Sequence, residues 1–500
     1  MRDAIEQLKG LRRISTPLVA LATADQDAFE RRLADSLNGA PKVRWDCAAG
    51  FRPVGEAGKE ALLTLGSLDD VAAVREFPDM CAAAQRLPEE TVVVAHNAHR
   101  FLERVEALQG VLNLRDAFKA NQRMLVMLAP AFTLPVELQP HVVLVEEALP
   151  NEAQLEAIVR RVYEDAEKQS TKGMFPLDGK DVASLVDASR GLTPYTAEQV
   201  CFENISPRGW DVEGAWERKR HLVNQTDGLK FLTGTHTLKD VGGLKGIGDF
   251  LMRIASGPAR IRAFVLIDEL EKFLQGSGAG GDSSGTSGDQ LGVILRSMTD
   301  NRWDGAIFYG IPGGGKTFLA QAIGNELGIP ALSFDMGAMK DRWVGSSEAR
   351  IRNAMRVLEA IAGDGAYFMA TCNGLATIPS EFQRRFLSET WFFDLPTAPE
   401  RLAIWKVQLK AFGHPEEWLK KLPRAEGWTG ADVMKCCRGA WRLQCSLEEA
   451  ARFVRPFSVK HPEVVQNLRG AADGRFFSAA SGEIYEVEKT GATGGRRIAN

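Results

Sequence analysis

Eight residues, GIPGGGKT (Gly310–Thr317), carry the clearest chemistry in this 500-residue chain. They match GxxxxGK[ST] in full. Gly310, Gly313, Gly314 and Gly315, with Pro312 among them, let backbone N–H groups turn inward around phosphate oxygens. Lys316 would reach the β and γ phosphates, and Thr317 would ligate Mg²⁺. A helix opening here, with Phe318 in its first turn, would add the positive potential of its N-terminus. The cofactors expected are ATP and Mg²⁺. A second stretch, FVLIDELEKF (Phe264–Phe273), runs four apolar residues into Asp268 and Glu269. At the C-terminal end of a strand, Asp268 would hold the Mg²⁺ shell and Glu269 would polarise an attacking water. This pair precedes the glycine loop, the reverse of the usual order.

Both stretches need strands that end on one edge of a sheet. Short apolar runs supply them at AFVLID (263–268), GAIFYG (305–310), ALSFDM (331–336), GAYFMAT (365–371) and TWFFDLP (390–396). Helices separate the runs. One carries the stripe Leu291, Ile294, Leu295, Met298; another carries Ile351, Ala354, Met355, Leu358, Ala362. A similar alternation comes earlier, at PLVALAT (17–23), TVVVAH (91–96), RMLVMLA (123–129) and HVVLVEE (141–147). Short buried runs alternating with helices indicate parallel sheets. Residues 152–228 and those after Pro399 read as helical. The halves echo each other: LPVELQ (134–139) resembles IPSEFQ (378–383), and GLTPYTAEQV (191–200) resembles GWTGADVMKC (427–436), which suggests a duplicated module. No GxxxxGK[ST] occurs in the first half.

Composition narrows the class. Hydrophobic residues at 45% and charged residues at 25% are those of a globular protein, long enough for about three domains. A net charge of −4 gives no support to a nucleic-acid or anionic-membrane surface. No apolar run approaches the ~20 residues of a membrane span, and MRDAIEQLKGLRRIS has no signal-peptide core. The seven cysteines are scattered with no CxxC pair, as expected of free thiols in a reducing cytoplasm. His96-x-x-His99 lacks further ligands nearby and reads as a strand-end loop.

Around these motifs, residues 229–480 resemble the AAA ATPases. DVGGL, with Asp240, Val241 and Gly242, resembles their opening motif, which lies against adenine. WVGSSEARIR (343–352) resembles the segment after the second strand. ATCN (370–373) resembles sensor 1, in which Asn373 would orient water. GWTGAD (427–432) is similar to the lid motif in which Gly430 and Ala431 replace the sensor 2 arginine. More narrowly, LKDVGGL, IDELEKF, GGDSSGTSGDQ and FFDLP resemble the ycf-type chloroplast and cyanobacterial AAA ATPases. That family also carries a degenerate AAA-like N-terminal half, which residues 17–228 fit.

In that family the acidic Walker B strand follows the WVGSSE helix. Here the helix runs into GDGAYFMATCNG, whose apolar run ends without an acid, and the acidic strand with its helix stands at 263–300. This implies transposition of one strand–helix unit. It is permissible because all core strands are expected to be parallel, so every carboxyl end stays on one edge. The fold implied is α/β, a parallel-sheet P-loop core (229–398) of circularly permuted strand order with a helical lid (399–480) and a flexible tail (481–500). Before it would come a degenerate α/β domain (1–151) and a helical region (152–228).

The resemblance also implies partners. Arg384 and Arg385 stand where arginine fingers act on a neighbouring subunit, although the family's Arg-x-Gly-Arg-Phe pattern is compressed. That implies a homo-oligomer, a hexamer. Trp343 and Val344 stand at an aromatic pore loop that grips an extended peptide. The function expected is a cytoplasmic ATP-hydrolysing ring motor that remodels a protein client, with no membrane partner. The alternatives are a nucleic-acid motor or loader and a nucleotide-gated scaffold with little turnover.

Overall fold

The computed structural model describes residues 3–37, 39–170, 174–271, 286–335, 346–374, 378, 383–386 and 388–487. Two compact units divide the chain at Lys219 and Arg220. No helix among the described residues is long and apolar enough to cross a membrane.

The first unit is built on strands β1 (Leu18–Ala22), β2 (Lys42–Asp46), β3 (Gly50–Val54), β4 (Val92–Ala95), β5 (Met124–Ala129) and β6 (Val143–Glu146). Their order is β3-β2-β4-β5-β1-β6. All neighbours are parallel except β3, which runs antiparallel to β2. The runs β1, β4 and β5 are buried at every residue because both faces are covered. Alternation survives in which core each residue joins. Leu18, Ala20, Val93, Ala95, Leu125 and Met127 pack with Trp45, Phe77 and Phe118. Val19, Leu21, Val92, Val94, Met124 and Val126 pack with Ile5, Leu8, Phe29 and Leu33 on the other face. Helices Glu152–Gln169, Gly179–Ser189 and Pro194–Glu203 follow, then a two-residue hairpin of β7 (Ile205–Ser206) and β8 (Gly209–Trp210).

The second unit has β9 (Leu229–Phe231), β10 (Ala263–Ile267), β11 (Asp304–Gly310), β12 (Ala331–Phe334), β13 (Ala366–Cys372), β14 (Thr390–Phe393) and β15 (Phe477–Ser478). Their order is β15-β14-β11-β13-β10-β12-β9. All pair in parallel but one. The exception corrects the expectation of a wholly parallel core: β9 lies antiparallel on β12. An edge strand reached by a short return from the preceding helix needs no crossover, so its direction is free.

Setting β15 aside, the two sheets share one layout. Parallel β6-β1-β5-β4-β2 in the first matches β14-β11-β13-β10-β12 in the second, each with an antiparallel strand beside the last. The chain visits them differently: β4 comes after β1 and β2, whereas β10, in the same place, comes before β11 and β12. LPVELQ falls between β5 and β6, and IPSEFQ between β13 and β14, at matching points. Thr193 and Thr429, one in each member of the other echo, both cap helices through their side chains.

Helix Lys316–Leu327 buries Leu319, Ala320 and Ile323 against Phe264, Leu266, Phe308 and Met369. The expected stripe of the 346–362 helix is buried in full. Helices Ala398–Ala411 and Gly430–Leu443 form a separate core around Trp405, Trp428, Cys436 and Cys437. The chain then returns to the sheet at β15. Here the expectation of a flexible tail from 481 fails over 481–487. Tyr485 is buried, packs on Phe392 at 4.5 Å between ring centroids, and donates its hydroxyl to Asp394 Oδ2 at 2.9 Å. Residues 488–500 lie outside the described residues, as do Trp343 and Val344.

Candidate active site

A cavity of about 420 Å³ opens at the carboxyl edge of the second sheet. Strand β11 enters it through Gly310, whose φ is +146° and where a Cβ would stand 2.3 Å from the carbonyl oxygen of Phe393. Only glycine fits there. At Gly313, with φ of +82°, a Cβ would stand 2.8 Å from that of Ala431. Pro312, Gly313, Gly314, Gly315, Lys316, Thr317 and Phe318 all line the cavity.

Lys316 is buried, with Nζ donating to the Gly310 carbonyl at 2.8 Å and to Asn373 Oδ1 at 3.0 Å. Burial pulls its pKa down to about 8, opposed by the nearby Cys372, Glu271, Asp268 and Glu269. A phosphate binds the charged amine, so association that meets a neutral amine must take up a proton. The affinity for ATP should therefore hold below pH 8 and fall by about tenfold per unit well above it. Calorimetry at pH 8.5 in buffers of different ionisation heat should register proton uptake; equal heats in all buffers would refute it.

The acids of β10 meet this loop. Asp268 Oδ2 accepts from Thr317 Oγ1 at 3.4 Å, and Oδ1 accepts from Thr371 Oγ1 at 2.5 Å. Thr371 Oγ1 in turn accepts from the Glu269 N–H at 2.9 Å. Glu269 has φ of +51°, which turns the chain sharply off the strand end. Thr371 is a site residue that sequence reasoning missed. Its signal is register: Ile267 pairs with Ala370, so the next residues, Asp268 and Thr371, stand together. Glu271, two residues beyond Glu269, was missed as well; it accepts from Asn373 Nδ2 at 2.9 Å.

Asp240, Val241, Gly242, Gly243 and Leu244 also line the cavity, with Ile404 and Met434. Gly430 and Ala431 reach the glycine loop from a helix start, with Ala431 N donating to the Gly313 carbonyl at 3.4 Å. Ala479 and Ala480 form a wall that nothing in the sequence announced. Arg384 and Arg385 are exposed and line no part of the cavity of their own chain.

These residues fit a magnesium nucleotide. An ammonium and a glycine-rich turn face one end, with a hydroxyl and a carboxylate beside them as hard oxygen ligands. Val241, Leu244, Ile404 and Met434 add apolar lining suited to a base.

The first unit differs at the matching point. Strand β1 runs through Thr23 and Ala24 to Asp25, whose carboxylate accepts from the Ala28 N–H at 2.9 Å and caps the next helix. A carboxylate thus occupies the helix start where phosphate would sit. Nearby, His96 Nε2 lies 2.6 Å from Glu30, and Asp27 is close enough for the three to hold a metal. Arg44, at 3.5 and 3.6 Å, already faces both carboxylates.

Residues 306–365 match the family model of the ATPase family associated with various cellular activities (AAA), and residues 4–147 match the SpoVK-like AAA ATPase, N-terminal domain. Two similar proteins carry the name "Uncharacterized AAA domain-containing protein ycf46". That of Guillardia theta is 23% identical over 373 residues, covering 65% of this chain and 65% of the relative. That of Pyropia yezoensis is 21% identical over 470 residues, covering 83% and 84%. The chain thus spans just under two thirds of the first relative's length and most of the second's. Two stretches of the chain match AAA ATPase models, and the chain is homologous, at low identity, to the ycf46-type AAA proteins.

Proposed function

We propose that the second unit hydrolyses ATP and that a ring of such chains, taken as a hexamer, uses the energy to remodel a protein client. The observation that carries this is the meeting of Lys316, Thr317, Asp268, Glu269 and Asn373 around one cavity. Lys316 and the glycine loop hold the phosphates. Thr317 and Asp268 hold Mg²⁺, which when bound draws charge off the phosphate oxygens. Glu269 accepts the proton of the attacking water, and Asn373 orients that water. Asp240, Val241, Gly242, Gly430 and Ala431 enclose the base and sugar, and the helices after 399 act as a lid.

The Walker B strand–helix unit is transposed ahead of the glycine loop. Support comes from the shared layout of the two sheets, in which β10 holds the place of β4 while arriving earlier in the chain. The first half is a docking or ring-building module that hydrolyses nothing, a reading supported by the carboxylate of Asp25 at its helix start. Trp343 and Val344, by resemblance, grip the client.

Exposure of Arg384 and Arg385 away from their own cavity supports action on a neighbour's nucleotide. Arg384→Ala or Arg385→Ala should bind ATP normally and hydrolyse it slowly. Mixing the slow variant with Lys316→Ala chains should restore some Mg²⁺-dependent turnover, because the two defects lie on opposite sides of a shared site. Mixed rings without any rescue would remove the fingers, and ATP bound without turnover by the unaltered protein would overturn the motor.

A further inference from the structure

Glu271 is buried just beyond the acids of β10, and its two oxygens have unequal surroundings. Oε1 accepts from both the backbone N–H of Asn373, at 3.2 Å, and its side-chain Nδ2, at 2.9 Å. Oε2 is enclosed with no partner among the described residues. On the far side of the same amide, Lys316 Nζ donates to Asn373 Oδ1 at 3.0 Å. An acceptor on one side and an ammonium on the other leave the amide one orientation. Its NH₂ faces the carboxylate and its carbonyl faces the amine. A buried carboxylate oxygen without a donor works against folding; an apolar side chain would remove that cost but leave the two Asn373 N–H groups without their acceptor. The acid is therefore retained for what Oε1 does.

We propose that Glu271 is a positioning residue of the nucleotide site: it locks the Asn373 amide so that Oδ1 faces Lys316 and the phosphate end of the cavity. This rests on the hydrolysis reading and deepens it. When the Lys316 ammonium turns to phosphate, Oδ1 loses its donor and faces the cavity that Glu269 lines. There it accepts a hydrogen from water. Asn373 works as an acceptor that orients the nucleophile, with its own NH₂ already committed to Glu271. Nothing is transferred to Glu271, and it touches neither water nor phosphate.

The test compares three variants for kcat, ATP affinity and melting. Glu271→Leu should lower kcat by about tenfold or more with affinity held within about threefold, since only the transition-state arrangement is lost. Melting should shift little, because relief at Oε2 and the loss of the Oε1 bonds oppose each other. Glu271→Gln keeps an acceptor for both N–H groups and should retain most of kcat. Asn373→Asp sets carboxylate against carboxylate and should be slow. A filler role predicts instead that melting, affinity and kcat fall together in Glu271→Leu. That result, or an unchanged kcat in Glu271→Leu, overturns the proposal. Turnover of the unaltered protein and its loss in Glu269→Gln are measured first. If either is missing, the hydrolysis reading falls and takes this proposal with it. If both are present, a failure above belongs to Glu271 alone.

Discussion

Asp268→Asn and Glu269→Gln should each slow ATP turnover by ~10²-fold or more, the scale on which a preorganised charge is lost from a reacting centre. The effect follows from where β10 sits. Between β12 and β13, it delivers Asp268 within hydrogen-bond reach of Thr317 although the two are 49 residues apart. The asparagine carbonyl can still accept from Thr371 while its NH₂ donates to the Thr317 hydroxyl, so Asp268→Asn removes charge while leaving a hydrogen-bonded network able to form. Its melting temperature should stay near that of the parent, which separates lost chemistry from lost fold. Glu269→Gln should retain ATP through gel filtration, because its side chain serves the water and not the phosphates. Single-turnover hydrolysis is the measurement. Near-normal rates in both variants would show that the acids of β10 are a coincidence of sequence.

Gly246→Ala should strip the return segment from the sheet. Gly246 lies in the first turn of helix Lys245–Ala255. A Cβ there would stand 2.1 Å from the backbone nitrogen of Gly482 and 2.6 Å from the carbonyl carbon of Ser481. Backbone cannot rotate aside as a side chain can. The segment would lose the bonds from Gly246 N to the Ala480 carbonyl and from Ile247 N to the Ala479 carbonyl, both 3.0 Å. It would also expose Tyr485. Loss of a buried aromatic costs ~3–5 kcal/mol, a fall in melting temperature of roughly 10 °C for a unit of this size. ATP should bind more weakly, since Ala479 and Ala480 wall the cavity. Gly248→Ala on the same helix is the control. Its Cβ would meet only Leu238, at 3.9 Å, and alanine for glycine favours a helix by ~1 kcal/mol. The two variants should move melting in opposite directions, and limited proteolysis after 478 should speed up in Gly246→Ala alone. If Gly246→Ala melts no lower than the parent, the segment is not a fixed wall.

What could be read from the chain beforehand follows the range of the interactions. GIPGGGKT declares itself because phosphate binding needs contiguous backbone, so its signal is local. β1, β4, β5, β10 and β13 were legible because burial on both faces leaves uninterrupted apolar runs. β2 was not: KVRWD alternates half-buried and buried residues, so its polar positions hide it. β9 and β15 are too short for any pattern, at three and two residues. Thr371 and Glu271 act through bonds spanning 103 and 102 residues, which become visible only once strand register is known. Ala479 and Ala480 contribute shape rather than chemistry. Small side chains at a cavity wall leave nothing in the sequence to notice.

The early place of β10 has a consequence during synthesis. AFVLI leaves the ribosome before either of its neighbours exists. β12 begins at Ala331, 331 − 267 = 64 residues after Ile267, and β13 later still. At ~5–20 residues per second the strand waits ~3–13 s unpaired. In the first unit the equivalent strand, β4, emerges with β2 already made. A waiting apolar strand invites pairing with another nascent chain. Charges flanking such a run act as gatekeepers, and here they are Asp268, Glu269 and Glu271. The acids to which we assign hydrolysis would also keep the strand in solution until its partners arrive. Neutralising them therefore acts twice, on the finished site and on the yield of chains that reach it.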